Sequence, residues 1–254
     1  MNSFPSEVIS FISQIRPNYE LEPWGLFLSE ANIGFVFHSV VEKEDTGYLI
    51  PEDIKKVHIW EDHWLLRKEI VQARINSLFN LTTRVFARKT TIIKLHKPEL
   101  LAFLKENHLN EPANGKFKYG LLFGDELVAV ALFSASCPIH RGDEVFKSHQ
   151  LIRFCNKNGL TVVGGLSKLI AHFIKEQSPE DIMTYADLDW SNGGGYIKIG
   201  FEKIGELAPQ PFSIHSDSNI RNYKFDTARE NEPSHKFFNQ GSAKYLLDLK
   251  KRGQ

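Results

Sequence analysis

Apolar positions change their spacing along the chain, and each spacing predicts an element. Val8, Ile9, Phe11, Ile12 and Ile15 follow Ser6-Glu7 at helical intervals, predicting an amphipathic helix that ends before Pro17. Residues 26–28, 34–41 and 56–60 are rich in aromatic, aliphatic and β-branched side chains between charged or turn-forming stretches, the pattern of short strands. From 62 to 78 the apolar residues Trp64, Leu65, Ile70, Val71, Ile75 and Leu78 predict one amphipathic helix. A second unit opens near Arg88, with a strand over 91–95 and a helix through Leu104 that carries Pro98 in its first turn. Two hydrophobic runs, 119–123 and 127–133, flank Gly124-Asp125-Glu126 and predict a tight hairpin. After a polar connection come a strand over 149–155, a helix over 165–175, a strand over 182–186 and a short helix over 194–199. This alternation predicts an α/β (α+β) fold, a mixed sheet covered by helices behind a small N-terminal α/β domain.

Composition narrows the class. With 254 residues, 42% hydrophobic and 24% charged, the chain can bury a substantial core without staples, and no apolar run is long enough to span a bilayer. Residues 1–15 do not read as a secretory signal, so a cytoplasmic location is expected. Cys137 and Cys155 make neither a disulfide framework nor a zinc signature, so both are expected as reduced thiols and no metal site is assigned. Formal net charge is zero, which removes any global pull toward nucleic acid or anionic membrane. Its distribution is uneven. Acids, including Glu20, Glu22, Glu30, Glu42, Glu44 and Asp45, crowd the start, whereas Arg67, Lys68, Arg74, Arg84, Arg88 and Lys89 make the next stretch basic. That stretch reads either as a solvated helix surface or as a face for phosphate.

The candidate chemistry begins at Gly164-Gly165-Leu166-Ser167-Lys168, between a predicted strand and a helix. The glycines suit either an ordinary turn or a close approach of backbone N–H groups to a pyrophosphate. Farther on, the run from Asn192 to Phe201 contains Tyr196-Ile197-Lys198-Ile199-Gly200-Phe201. The pattern Tyr-x-Lys-x-Gly-Phe after an Asn and a strand resembles the closing segment of the GNAT acyltransferase superfamily. Gly165-Leu166-Ser167 resembles its Gly-x-Gly/Ala turn, although Val162 stands where that family usually has Arg or Gln. The resemblance implies that acetyl-CoA or another acyl-CoA is the cofactor, bound at Gly164, Gly165, Ser167 and Lys168. It also implies that Tyr196 protonates the departing thiolate. The alternative for Tyr196 is a ring packed into the core.

A narrower resemblance covers more of the chain. The runs Leu151-Ile152-Arg153-Phe154-Cys155-Asn156-Lys157, Val162 to Leu169, and Tyr185-Ala186-Asp187-Leu188-Asp189-Trp190-Ser191-Asn192-Gly193 resemble the C-terminal module of phage-type homing endonucleases. That module is related to Mom-type DNA-modification proteins of GNAT fold. It implies that Asp187 and Asn192 join Tyr196 as catalytic residues, and that Arg153, Trp190 and Ser191 contact substrate. Turn formation and helix capping are the alternative for Asp187 and Asn192. In the first half, His58-Ile59-Trp60-Glu61-Asp62-His63-Trp64, with Phe86-Ala87-Arg88-Lys89 beyond, resembles the end of a very-short-patch-repair-like nuclease domain. Most of the expected carboxylates are missing, so this half reads as degenerate, and His63 reads as an exposed helix residue.

The resemblances divide the chain into a nuclease-like domain (1–88), a GNAT-like domain (89–210) and a C-terminal extension (211–254) packed on it. Basic and aromatic residues interleave in that extension, as in Arg221-Asn222-Tyr223-Lys224-Phe225, which suits a surface-packed tail or a nucleic-acid contact. The reading that follows is a group-transfer protein acting on a small amine or a nucleic-acid base, with DNA as an expected partner. The alternative is a non-catalytic DNA-binding remnant of a homing endonuclease.

Overall fold

A computed structural model describes residues 3–40, 49–215, 218–223 and 236–250. Val41 and the acids Glu42, Glu44 and Asp45 lie outside the described residues, as do Lys224 and Phe225. The order is α1 (Phe4–Ile15), β1 (Glu20–Glu22), β2 (Gly25–Leu28), β3 (Ile33–His38), β4 (Lys55–Trp60), α2 (Glu61–Leu78), β5 (Thr83–Phe86), β6 (Thr91–Lys94) and α3 (Lys97–Asn107). There follow β7 (Phe117–Phe123), β8 (Glu126–Phe133), β9 (Cys137–Arg141), β10 (Glu144–Asn156), β11 (Leu160–Val163), α4 (Gly165–Gln177), β12 (Asp181–Asp187) and α5 (Gly194–Ile197). The described chain closes with β13 (Glu202–Leu207), β14 (Pro211–Ile214), β15 (Arg221–Asn222), β16 (Lys236–Phe238) and β17 (Ser242–Asp248). These elements form two compact units, neither of them a single run of sequence. Met1–Ile75, Asp187–Asn192 and Leu207–Ser242 make the first, and Asn76–Ala186, Gly193–Glu206 and Ala243–Gln254 the second.

The first unit holds a four-stranded sheet in the order β1-β2-β3-β4, with β3 and β4 parallel. Its register pairs Val36 with His58 and His38 with Trp60, so polar rings share a sheet face with buried apolar ones. A separate sheet, β15-β14-β16, supplies Phe212 and Ile214, which cluster with Trp60 and with the half-buried Val40 and Phe237. The single helix expected over 62–78 is kinked, because Arg67 takes non-helical angles (φ −140°, ψ 38°). Trp64, Ile70, Val71 and Ile75 are buried, but Leu65 points to solvent, contrary to its place in the sequence pattern.

The second unit is built on an eight-stranded mixed sheet in the order β13-β17-β12-β10-β8-β7-β6, with β9 paired to β10. The hairpin β7–β8 forms as predicted. Phe123 pairs with Glu126, which leaves Gly124-Asp125 as the turn, and Gly124 takes φ +60° at little cost for glycine. Val128 to Phe133 are buried without interruption, which marks β8 as an inner strand covered on both faces. Val130 and Leu132 pack with Leu100, Phe103 and Leu104 of α3, while Phe133 stacks on Phe173 of α4 at 4.0 Å between ring centroids. The mixed sheet covered by helices is therefore the observed architecture.

Two stretches differ from their sequence pattern. The polar connection before residue 149 is a hairpin arm in which β9 pairs with an extended β10. The expected tail contributes strands instead, and β17, with Ala243, Tyr245 and Leu247 buried, sits between β13 and β12.

Candidate functional site

In the second unit, the geometry of interest lies where β10 and β12 part. Their parallel ladder covers only Ser148–Gln150 against Asp181–Met183, while β10 runs on to Asn156 and β12 to Asp187. The Thr184 hydroxyl donates to the Leu151 carbonyl at 3.0 Å, supplying the bond that a next ladder rung would have made. A register shift between Leu151 and Arg153 against β8 adds local twist at the same point. Past Gln150 and Met183 the two strands no longer pair with each other, although β10 keeps its pairing with β8. Arg153 lies on this stretch, half-buried, and its Nη1 donates to the Ile152 carbonyl at 2.9 Å.

The glycine turn follows β11. Gly164 is the exposed N-cap of α4 with φ +79°, a conformation that favours glycine, and a Cβ there would meet only the Ala87 methyl at 3.6 Å. No side chain caps this helix, so its first-turn N–H groups, those of Gly165, Leu166 and Ser167, have neither an intrahelical acceptor nor a capping side chain. Ser167 is exposed beside them. Gly165 has another reason to be glycine. It is buried, and a Cβ would lie 3.0 Å from Val162 Cγ1 and 3.3 Å from Leu121 Cδ1. Val162, standing where the resembled family has Arg or Gln, thus serves packing under the turn, with 4% exposure. Lys168 ties the turn to the 87–90 segment: its ammonium donates to the Ala87 carbonyl at 2.8 Å, to the Thr90 carbonyl and to Thr90 Oγ1 at 3.3 Å.

Tyr196 lies in α5, half-buried, with its ring 5.6 Å from those of Phe201 and Tyr245. Its ring therefore lies beside two aromatic rings without being fully enclosed. Gly193, before that helix, has φ +75°, and a Cβ there would lie 2.4 Å from the buried Tyr245 ring.

The other sequence candidates belong to the first unit. The Asp187 carbonyl accepts from the N–H groups of Trp190 (3.1 Å) and Ser191 (2.9 Å), and its Oδ1 accepts from the Asp189 N–H at 3.1 Å. The residue thus shapes a turn. Trp190 is buried with the Arg74 guanidinium 4.4 Å from its ring centroid, whereas Ser191 and Asn192 are exposed.

A well-connected polar group in this unit is Asp189, to which the motif containing it gave no role. Its carboxylate accepts from Trp60 Nε1 at 3.0 Å and from the Gln240 N–H at 2.8 Å, and its carbonyl accepts from the His58 N–H at 2.7 Å. Burial, then the neighbouring Asp187 charge, raises its pKa above the ordinary carboxylate value. His38 Nε2 and His58 Nδ1 are 2.8 Å apart, and the His38 ring stacks on Trp60 at 4.2 Å. Burial, helped by the Arg221 charge, lowers the His38 pKa to about 4. Burial, then His38, lowers that of His58 to about 3. Arg221 itself is held by Asp62 through two bonds of 2.9 Å and lies 3.9 Å from the Phe212 ring centroid. Only the proximity of His58, Trp60 and Asp62 in sequence hinted at this network; its partners at 189, 221 and 240 carry no local signal.

These contacts bear on the nuclease resemblance. Glu61 Oε2 accepts from Ser39 Oγ and the Val40 N–H, and Asp62 is spent on Arg221, so both carboxylates have structural partners. Among the described residues no group of three or more His, Cys, Asp or Glu is placed to hold a metal ion. His63, expected exposed, is half-buried, and burial lowers its pKa to about 3. Arg221 is likewise turned inward rather than presented to phosphate.

No protein-family model matches the chain, and neither does any curated protein. Among solved structures, an acetyltransferase from Bacillus subtilis in complex with CoA is similar at 15% identity and TM-score 0.40, over 63% of this chain and 99% of that one. The ribosomal-protein-S18-alanine N-acetyltransferase from Escherichia coli is similar at 14% identity and TM-score 0.41, over 63% and 94%. Arabidopsis thaliana Naa50 in complex with a bisubstrate analogue is similar at 12% identity and TM-score 0.41, over 63% and 99%. These similarities are loose in fold and remote in sequence. Among the described residues no helix is long and apolar enough to cross a membrane.

Proposed function

We propose that the second unit is a GNAT-type, acyl-CoA-dependent acyltransferase module whose acceptor is an amine, with a nucleic-acid base as its Mom-like form. The observation that carries this reading is the uncapped start of α4 at the exposed Gly164, in the same unit as the split between β10 and β12. An acyl-CoA would supply the activated thioester. The N–H groups of Gly165, Leu166 and Ser167 suit its pyrophosphate, because a helix start presents aligned donors and the positive end of the helix dipole. The parting of β10 and β12 past Gln150 and Met183 suits an amide-bearing arm lying between the strands. Lys168 fits an indirect role, tying the turn to residues 87–90. The Tyr196 phenol is the proposed donor of a proton to the leaving sulfur. In the first unit, Asp187 and Trp190 hold their turn, and Ser191 and Asn192 are exposed. Arg153 is a candidate for an acceptor's polar group.

Titration calorimetry of the purified chain with acetyl-CoA tests this reading, with Ser167→Asp as the decisive variant. A carboxylate near a helix start favours the fold but repels phosphate, so affinity should fall while thermal stability holds or rises slightly. Wild-type affinity in that variant would remove the α4 start from the site. Once an acceptor is found, Tyr196→Phe should lower turnover about 100-fold with little change in stability. The alternative of a non-catalytic DNA-binding remnant gains if acetyl-CoA fails to bind and DNA binds in a salt-sensitive way.

A further inference from the structure

The segment before α3 is bound into the second unit by an unusual ladder. β5 pairs in parallel with β11, Leu160 with Thr83 through Val163 with Phe86, so both strands end in register. Directly beyond the last pair, one chain becomes Gly164 and α4, while the other becomes a short turn at Ala87–Lys89. Lys168 fastens the two together through the Ala87 and Thr90 carbonyls. Carboxyl ends of parallel strands are where ligands of α/β sheets bind.

The charge around this junction is one-sided. Residues 79–98 contain Arg84, Arg88, Lys89, Lys94 and Lys97 and no acid, and residues 157–175, which include the start of α4, also contain no acid. Lys94 is paired with Glu176 at 2.9 Å, and Glu99 accepts from the His96 N–H, so the excess cationic charge lies at Arg84, Arg88 and Lys89. Arg84, Phe86, Arg88 and Lys89 are exposed, and Arg84, Arg88 and Lys89 have no carboxylate partner among the described residues. Phe86, 41% exposed, carries the Arg88 guanidinium 4.9 Å from its ring centroid. Exposed cations without partners, beside an exposed aromatic ring, match a phosphorylated nucleotide better than they match a packing role.

We infer that Arg88 and Lys89 form a second anion-binding element of the acyl-CoA site, one that recognises the 3′-phosphate of the adenosine end while the α4 start takes the pyrophosphate. This rests on the acyl-CoA reading above. CoA carries its 3′-phosphate on the ribose, apart from the pyrophosphate, so a site with two anion elements distinguishes CoA from its 3′-dephospho form.

The test is calorimetry of the full chain with acetyl-CoA and with 3′-dephospho-acetyl-CoA, in the wild type and in Arg88→Ala/Lys89→Ala. The wild type should bind acetyl-CoA about tenfold more tightly than the dephospho form, and the double variant should bind both at the weaker affinity. Because both side chains are exposed, the melting temperature should be unchanged. Equal wild-type affinity for the two ligands overturns the inference and leaves the acyl-CoA reading standing. Undiminished discrimination in the double variant overturns it as well. If neither ligand binds the wild type, the acyl-CoA reading falls and takes the inference with it. A double variant that loses affinity only for duplex DNA assigns the cations to nucleic acid and overturns the inference.

Discussion

The two units differ in where their most informative polar groups lie. In the first, the carboxylates of Asp62 and Asp189, the Trp60 indole and the Arg221 guanidinium are satisfied by one another inside the fold. In the second, the α4 start has no capping side chain, and the β10–β12 ladder stops after three pairs, although both strands continue. Buried polar groups that find partners rigidify a core, whereas a helix start without a capping side chain keeps donors that a ligand can use. The contrast explains why the charged motif at 58–64, which resembles part of a nuclease domain, has its carboxylates committed to partners inside the fold, and why a plain glycine turn is the better candidate for binding.

The largest expected effect tests the closed network. Asp62→Ala leaves Arg221, with 7% side-chain exposure, buried without its partner, and should cost about 3–5 kcal/mol in urea unfolding. A loss near zero would mean that Arg221 reaches solvent easily and that the first unit is not rigidly closed. Next comes the packing of the second unit. Gly193→Ala adds a Cβ 2.4 Å from the Tyr245 ring at φ +75°, and should cost about 2–4 kcal/mol. Toleration of the alanine would show that Tyr245 is free to move.

A smaller effect is expected from pH. His38, His58 and His63 are held below the ordinary 6.5, so the unfolded chain takes up their protons first as the solution is acidified. Their contribution is complete above about pH 6.5 and declines as pH falls toward about 4 for His38 and about 3 for His58 and His63. The raised Asp189 carboxyl works the other way, gaining stability on acidification, and offsets part of that loss. Unfolding midpoints at pH 7 and pH 5 should therefore differ, with the lower stability at pH 5, and His58→Gln should reduce the difference. An unchanged difference in that variant would take His58 out of the titrating network.

Much of the framework is legible locally. The end of α1 before Pro17, the turn at Gly124-Asp125 and the start of α4 after Gly164 follow from short-range rules about proline, glycine and periodic apolar residues. Other features resist such reading for stated reasons. Strands such as β13, with all six residues exposed, carry no alternation to detect, and β9 hides in a stretch containing Pro138. Leu65 follows a helical pattern whose register the kink at Arg67 interrupts.

Local sequence thus determined most elements, the mixed α/β class and the glycine turn, because periodicity and backbone freedom act over a few residues. Tertiary structure alone decided that Asp189 would meet Trp60, that Asp62 would meet Arg221, and that β17 would lie between β12 and β13. Each of those joins residues far apart in the chain. Which distant partner wins depends on the burial and hydrogen bonding of the whole unit, and no short stretch of sequence encodes that sum.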